Sequence, residues 1–162
     1  MYARMKTCLF GLFQQAERHG LRSEIVLVDW NPPKNRPLLR DAYPWPKQSQ
    51  FCTVRIIVVP PSIHQRYEHW ERIPVNIDVA QNAAIRRAKG RFIVAHTIDV
   101  MLSDELFRFL AAKKLEEDRL YLIDRYDVKR EVVRLNSLDE QLSYCQRNIL
   151  HANSYQTGEP VP

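Results

Sequence analysis

Four aspartates stand at or just beyond the ends of short apolar runs, and they are the residues of this chain best placed to do chemistry. Asp29 closes the run Glu24–Asp29 (EIVLVD), Asp99 follows Phe92–Ala95 (FIVA), and Asp124 and Asp127 follow Leu120–Ile123 (LYLI). An acid after a strand often does no more than cap a turn. In an open parallel sheet, however, the carboxyl ends of the strands gather on one rim, and that rim is where ligands bind. Carboxylates with no histidine or cysteine clustered beside them suit a hard ion, Mg2+ or Mn2+, held partly by phosphate oxygens, better than zinc. His96, three residues before Asp99, is placed for the wall of such a site, whereas Ser62 and His64 read as a local pair in a hydrated loop.

Several chemistries are excluded by what the chain lacks. Its only glycines are Gly11, Gly20, Gly90 and Gly158, so it has no phosphate-cradling Walker loop, no GxGxxG turn and no GxSxG nucleophile elbow. The formal charge of +5 and pI near 9.2 fit nucleic acid, an anionic membrane or a phosphorylated small molecule. The cations are spread along the chain, with no arginine-rich arm or zinc-finger spacing, which favours the small molecule and predicts no nucleic-acid partner. Cys8, Cys52 and Cys145 are odd in number and far apart, which predicts reduced thiols and a cytoplasmic setting. No signal peptide is visible, and no apolar run is long enough for a transmembrane segment.

The elements that must position these acids follow from periodicity. Residues 2–20 read as a helix with Met5, Leu9, Leu12, Phe13 and Ala16 on its buried stripe and Gly20 as its stop. Glu24–Asp29 and Val54–Val59 read as strands, each closed by a proline pair, Pro32–Pro33 and Pro60–Pro61. Residues 34–50 read as a long connection with one helical turn at Leu38–Asp41. A helix over residues 79–89, ended by Gly90, leads to a strand at Phe92–Ala95. Ser103 is placed to cap the next helix, Leu120–Ile123 reads as the fourth strand, and Ser137–Ile149 as the last helix. This order predicts an α/β fold with a mostly parallel sheet and helices on both faces. The expected organisation is one domain over residues 1–150 and an irregular tail over 151–162.

Three stretches together, EIVLVDWNPP, VRIIVVPP and VAQNAAIRRAKGRFIVAHTIDVMLSDELF, resemble the nucleotide-sugar-binding half of inverting glycosyltransferases of the GT-A fold, the family 2-like group. The likeness runs over roughly residues 4–128. In that group a strand ends in Val-Asp and its aspartate hydrogen-bonds the nucleotide base, which matches Asp29, with Asn31 in the turn behind it. A helix carries Arg-Asn-x-Gly and ends in Ala-x-Gly, matched by Asn82 and by Ala88–Lys89–Gly90. The acidic motif after the next strand holds a divalent cation on the donor diphosphate, and its last acid matches Asp99. The resemblance therefore implies a nucleotide-sugar donor as partner, Asp29, Asn31, Asn82 and His96 as donor-binding residues, and Asp99 as the ligand of Mn2+ or Mg2+. The implied reaction is direct displacement at the anomeric carbon with inversion, a carboxylate deprotonating the acceptor hydroxyl.

The chain departs from that pattern in places. Thr97 stands where the motif's first acid is often found, and Gln81 and Ala84 replace the arginine and glycine beside Asn82. The chain opens at the helix that follows the family's first strand, and it stops near the point where the acceptor half begins. Glu159 is the only late acid near the position of the family's base, so the catalytic residue is left unassigned. A sheet without its first strand would expose an edge that invites pairing with a second copy. Three functions stay open: a glycosyltransferase-like domain binding a nucleotide sugar with a cation, a non-catalytic GT-A-like protein used for binding or assembly, and an unrelated parallel-sheet enzyme using its strand-end acids.

Overall fold

The computed structural model describes residues 2–45 and 49–153 and the backbone of 160–161; Glu159 lies outside the described residues. The elements in order are helix α1 (Tyr2–His19), strand β1 (Ser23–Trp30), helical turn α2 (Leu39–Ala42), strand β2 (Cys52–Val59), helical turn α3 (Pro61–His64), helices α4 (Ile77–Ile85) and α5 (Asp104–Ala111), strand β3 (Arg125–Val128), helix α6 (Leu138–Arg147), and strands β4 (Ile149–Asn153) and β5 (Pro160–Val161). A 3-10 turn at Arg130–Arg134 precedes α6. These elements fall into two units: a middle unit of Arg22–His96, and a terminal unit joining Met1–Leu21 to Thr97–Pro162.

The middle unit is built on β1 and β2, which pair in parallel from Ser23↔Cys52 to Trp30↔Val59. β-Branched residues make this ladder, and the prolines behind each strand stop it, since they supply no ladder donor. Helix α4 lies against β1. Asn76 caps α4, its side-chain oxygen accepting from Val79 N at 3.2 Å. The helix ends at Ile85, short of Gly90, which does not adopt the left-handed conformation expected of a terminating glycine. Glu24, at the start of β1, accepts both Arg55 Nε at 2.8 Å and an Arg55 Nη at 3.1 Å, together with the Lys89 amide at 3.1 Å. The Arg55 guanidinium also donates to the Arg87 carbonyl, so the segment leaving α4 is tied back to the strands.

Among the described residues the parallel sheet has two strands. Phe92–Ala95, expected as a third, is irregular and exposed, and it pairs with no strand among the described residues. Leu120–Ile123, expected as a fourth, is also unpaired, with Leu120 86% exposed. Both runs have the composition of strands, but a strand exists only where its amides find a partner. The second sheet is antiparallel, in the order β3–β4–β5. Part of the stretch expected as a tail is thus structured, with residues 151–153 in β4.

In the terminal unit α1 buries Cys8, Leu9, Phe13, Gln15 and Ala16. It ends as expected at Gly20, whose φ of 59° lets the Gly20 amide reach Glu17 O and the Leu21 amide reach Ala16 O, at 3.3 and 3.0 Å. Ser103 caps α5, and Ser137 with Glu140 closes a capping box on α6. Asp104, in the first turn of α5, is the charged centre of the unit. It accepts from His19 at 2.7 Å and Arg108 at 3.0 Å and faces Arg18 at 3.5 Å, while Arg18 also reaches Asp139 at 2.7 Å. Arg18, in the last turn of α1, thereby meets acids in the first turns of α5 and α6, where the helix dipoles favour both.

These pairs make stability acid-sensitive. The His19 hydrogen bond, with help from Arg108, holds the Asp104 carboxyl below the usual range, and the Arg55 hydrogen bond does the same for Glu24. A carboxyl with a lowered folded pKa stabilises the fold above its unfolded value, and that stability is lost as pH falls through the folded value. Urea midpoints should therefore hold at neutral pH and decline from about pH 4 downward. Asp104→Asn and Glu24→Gln should each lower the neutral midpoint and flatten the acid decline. An unchanged acid slope in both variants would show that other carboxylates carry it.

Candidate functional site

The carboxyl end of β1 carries two of the four residues expected to bind a donor, Asp29 and Asn31. The strand period places Asp29 and Trp30 on opposite faces of the pair. Asp29 is half-buried, and its Oδ2 accepts from the Leu39 amide at 2.8 Å, starting α2. Only one carboxylate oxygen is engaged in this way among the described residues, which leaves Oδ1 to accept from a ligand. Asn31 follows with φ of 51°, a left-handed conformation that asparagine tolerates better than most residues, and its amide donates to Val59 O at 2.8 Å. Both residues sit at the strand end where the sequence placed them.

On the opposite face lies a cavity of about 280 Å³ between the strand ends and α4. Trp30, Val59, Ile63, Tyr67 and Val79 give it apolar walls, and Arg87 supplies a cation. Behind the wall Trp30 Nε1 donates to His64 Nδ1 at 2.9 Å, and His64 Nε2 lies 3.1 Å from Trp70 O. An indole N–H can only donate, so Nδ1 must present its lone pair; the proton then sits on Nε2 and points at the Trp70 carbonyl. His64 is 2% exposed with both nitrogens occupied, a buried brace rather than a base. The expectation of a hydrated Ser62–His64 loop pair is corrected here: the helical turn α3 carries His64 inward, against Trp30 in a near-perpendicular ring contact.

Asn82 lies on α4 beside the cavity residues Val79 and Ala83, but its side chain is exposed and does not line the cavity. His96, half-buried, is the last residue of the middle unit. Asp99 belongs to the terminal unit, where its Oδ2 accepts from Arg4 at 3.0 Å and its Oδ1 from the Thr97 hydroxyl at 2.9 Å. Thr97, which replaces an acid of the resembled motif, here serves as a donor to the acid that remains. Among the described residues no three histidines, cysteines or acids are grouped to hold a metal. As arranged, the Asp99 charge is balanced by a guanidinium, and a divalent ion would have to displace Arg4. Close by, burial, followed by the Asp99 charge, pushes the Cys8 thiol up to about 12, which removes it as a nucleophile.

Asp124 precedes β3 and Asp127 lies within it, paired across to His151, with Arg125 3.3 Å from Asp127. Asp127 therefore belongs to the antiparallel sheet of the terminal unit, and Asp124 to the segment leading into it, rather than to a parallel rim. Reading the sequence missed the cavity and its His64 brace. The only available signal was the matched arrangement of two strands, each ended by a proline pair, with an indole at the first end. Comparisons with protein-family models, with curated proteins and with solved structures find no match to this chain.

Proposed function

We propose that this chain is a glycosyltransferase-like domain that binds a nucleotide-sugar donor together with Mn2+ or Mg2+, its middle unit providing the nucleotide contacts. The observation that carries the reading is the strand-end acid. Asp29 is the next-to-last residue of a parallel strand, has one carboxylate oxygen engaged by Leu39 and the other open to a base N–H, and stands two residues before the left-handed turn at Asn31. The resemblance of the surrounding stretches to the donor half of GT-A enzymes adds to this. The cation part rests on Asp99 alone. One carboxylate serves where the ion arrives already bound to phosphate oxygens, so its binding without nucleotide is expected to be weak. Three cysteines set far apart in the chain, Cys8, Cys52 and Cys145, suit a cytoplasmic setting, and no described helix is long and apolar enough to cross a membrane.

A second reading is favoured by one specific observation. Parallel strands are ordinarily covered on both faces, yet most of β1 and β2 is only half-buried. A protein that uses this open pair to assemble with a second copy, without catalysis, would bury them. Calorimetry with a panel of nucleoside diphosphates, with and without Mn2+, separates the two. Under the first reading the parent chain binds, Asp29→Ala weakens binding by about 1–3 kcal/mol, and Asp99→Asn abolishes the cooperativity between cation and nucleotide. Absence of any nucleotide binding, with self-association on concentration, selects the second.

A further inference from the structure

The net charge of the chain is concentrated in one unit. Arg22–His96 holds twelve lysines and arginines against six acids, while the terminal unit holds twelve against thirteen. Within the middle unit the densest basic run is Arg86, Arg87, Lys89 and Arg91, in the exposed irregular segment that leaves α4. Arg86, Arg87 and Lys89 form no salt bridge with a carboxylate among the described residues; Arg87 spends one Nη on Ala83 O at 3.2 Å. Directly after them come Phe92, Ile93 and Val94, three consecutive apolar side chains that are 38%, 47% and 37% exposed. The Arg91 guanidinium lies over the Phe92 ring, 5.5 Å from its centroid, so cation and aromatic are presented together.

We propose that Arg86–Val94 is a contact for an anionic phospholipid surface, the cations meeting the headgroups and Phe92, Ile93 and Val94 entering the acyl boundary. This goes beyond the proposed donor binding and does not depend on it. Basic side chains next to an apolar face are the requirement for binding in the plane of an interface, and each cation adds attraction to an anionic leaflet. A single-stranded nucleic acid would use the same cations and could stack a base on Phe92. It would gain nothing from Ile93 and Val94, which offer neither a π-face nor a donor. The aliphatic pair is what favours lipid.

Flotation of the full chain with phosphatidylcholine vesicles, with and without equimolar phosphatidylserine, tests this. The chain is expected to float with the anionic vesicles, to stay behind with the neutral ones, and to be released by salt. Arg86→Glu with Lys89→Glu should lower the affinity by about tenfold or more. Phe92→Ser with Ile93→Ser, on the same vesicles, should lower it by roughly tenfold while the salt dependence remains. All four side chains are exposed, and circular dichroism verifies that both variants fold like the parent. Equal flotation of parent and variants, equal binding to neutral vesicles, or no binding to either overturns the proposal. So does charge-dependent binding to single-stranded RNA without flotation, or self-association that Phe92→Ser with Ile93→Ser abolishes in a chain that ignores vesicles.

Discussion

Replacing Trp30 with alanine is expected to destabilise the middle unit by about 3–5 kcal/mol. Trp30 is the last residue of β1 and only 8% exposed, and its ring packs against His64 and Tyr67, at centroid separations of 6.0 and 5.8 Å. The cavity already present beside it means that truncation enlarges a void rather than inviting collapse. A second cost is polar. His64 Nδ1 loses its donor while remaining in a site 2% exposed. Trp30→Phe separates the two contributions, because it retains most of the ring but removes the N–H. That variant should cost about 1–3 kcal/mol for the orphaned acceptor, plus a smaller packing loss. Urea unfolding followed by circular dichroism is the appropriate measurement, since tryptophan fluorescence would change with the substitution itself. If Trp30→Phe were as stable as the parent, the indole–imidazole hydrogen bond would carry no weight in the fold.

What the sequence discloses here is mostly local. Helix α1 is legible because its apolar stripe and its terminating Gly20 lie within one segment, and β1 and β2 are legible from β-branched runs closed by prolines. The caps Ser103 and Ser137 act on amides three residues away, so their chemistry is visible in a short window. Phe92–Ala95 and Leu120–Ile123 fail for a different reason. Their composition suits a strand, but pairing depends on a distant partner that a short window does not contain. His64 shows the same limit from the other side: a histidine behind two prolines looks like loop, and only its meeting with Trp30, 34 residues earlier, makes it a brace. For the candidate site, Asp29 and Asn31 lie at a strand end as their sequence implied. The spacing of Thr97 and Asp99 gave no hint that Arg4, 95 residues away, would engage the acid.

In the terminal unit Leu9→Ala is expected to cost about 2–5 kcal/mol. Leu9 is 1% exposed and sits on the stripe of α1 flanked by the buried Cys8 and Phe13. Alanine loses nothing in helix propensity at this position, so the whole effect falls on packing. Leu12, on the same helix and expected on the same stripe, is only half-buried. Its truncation removes the same atoms from a site already in partial contact with water, and should cost clearly less. The pair of variants thus holds chemistry constant and changes only burial. Denaturant unfolding of both, compared at a common pH well above the acid decline, reads the difference directly. Equal losses for Leu9→Ala and Leu12→Ala would mean that the two side chains are buried alike, and a larger loss at Leu12 that α1 is rotated about its axis to carry Leu12 rather than Leu9 into the core.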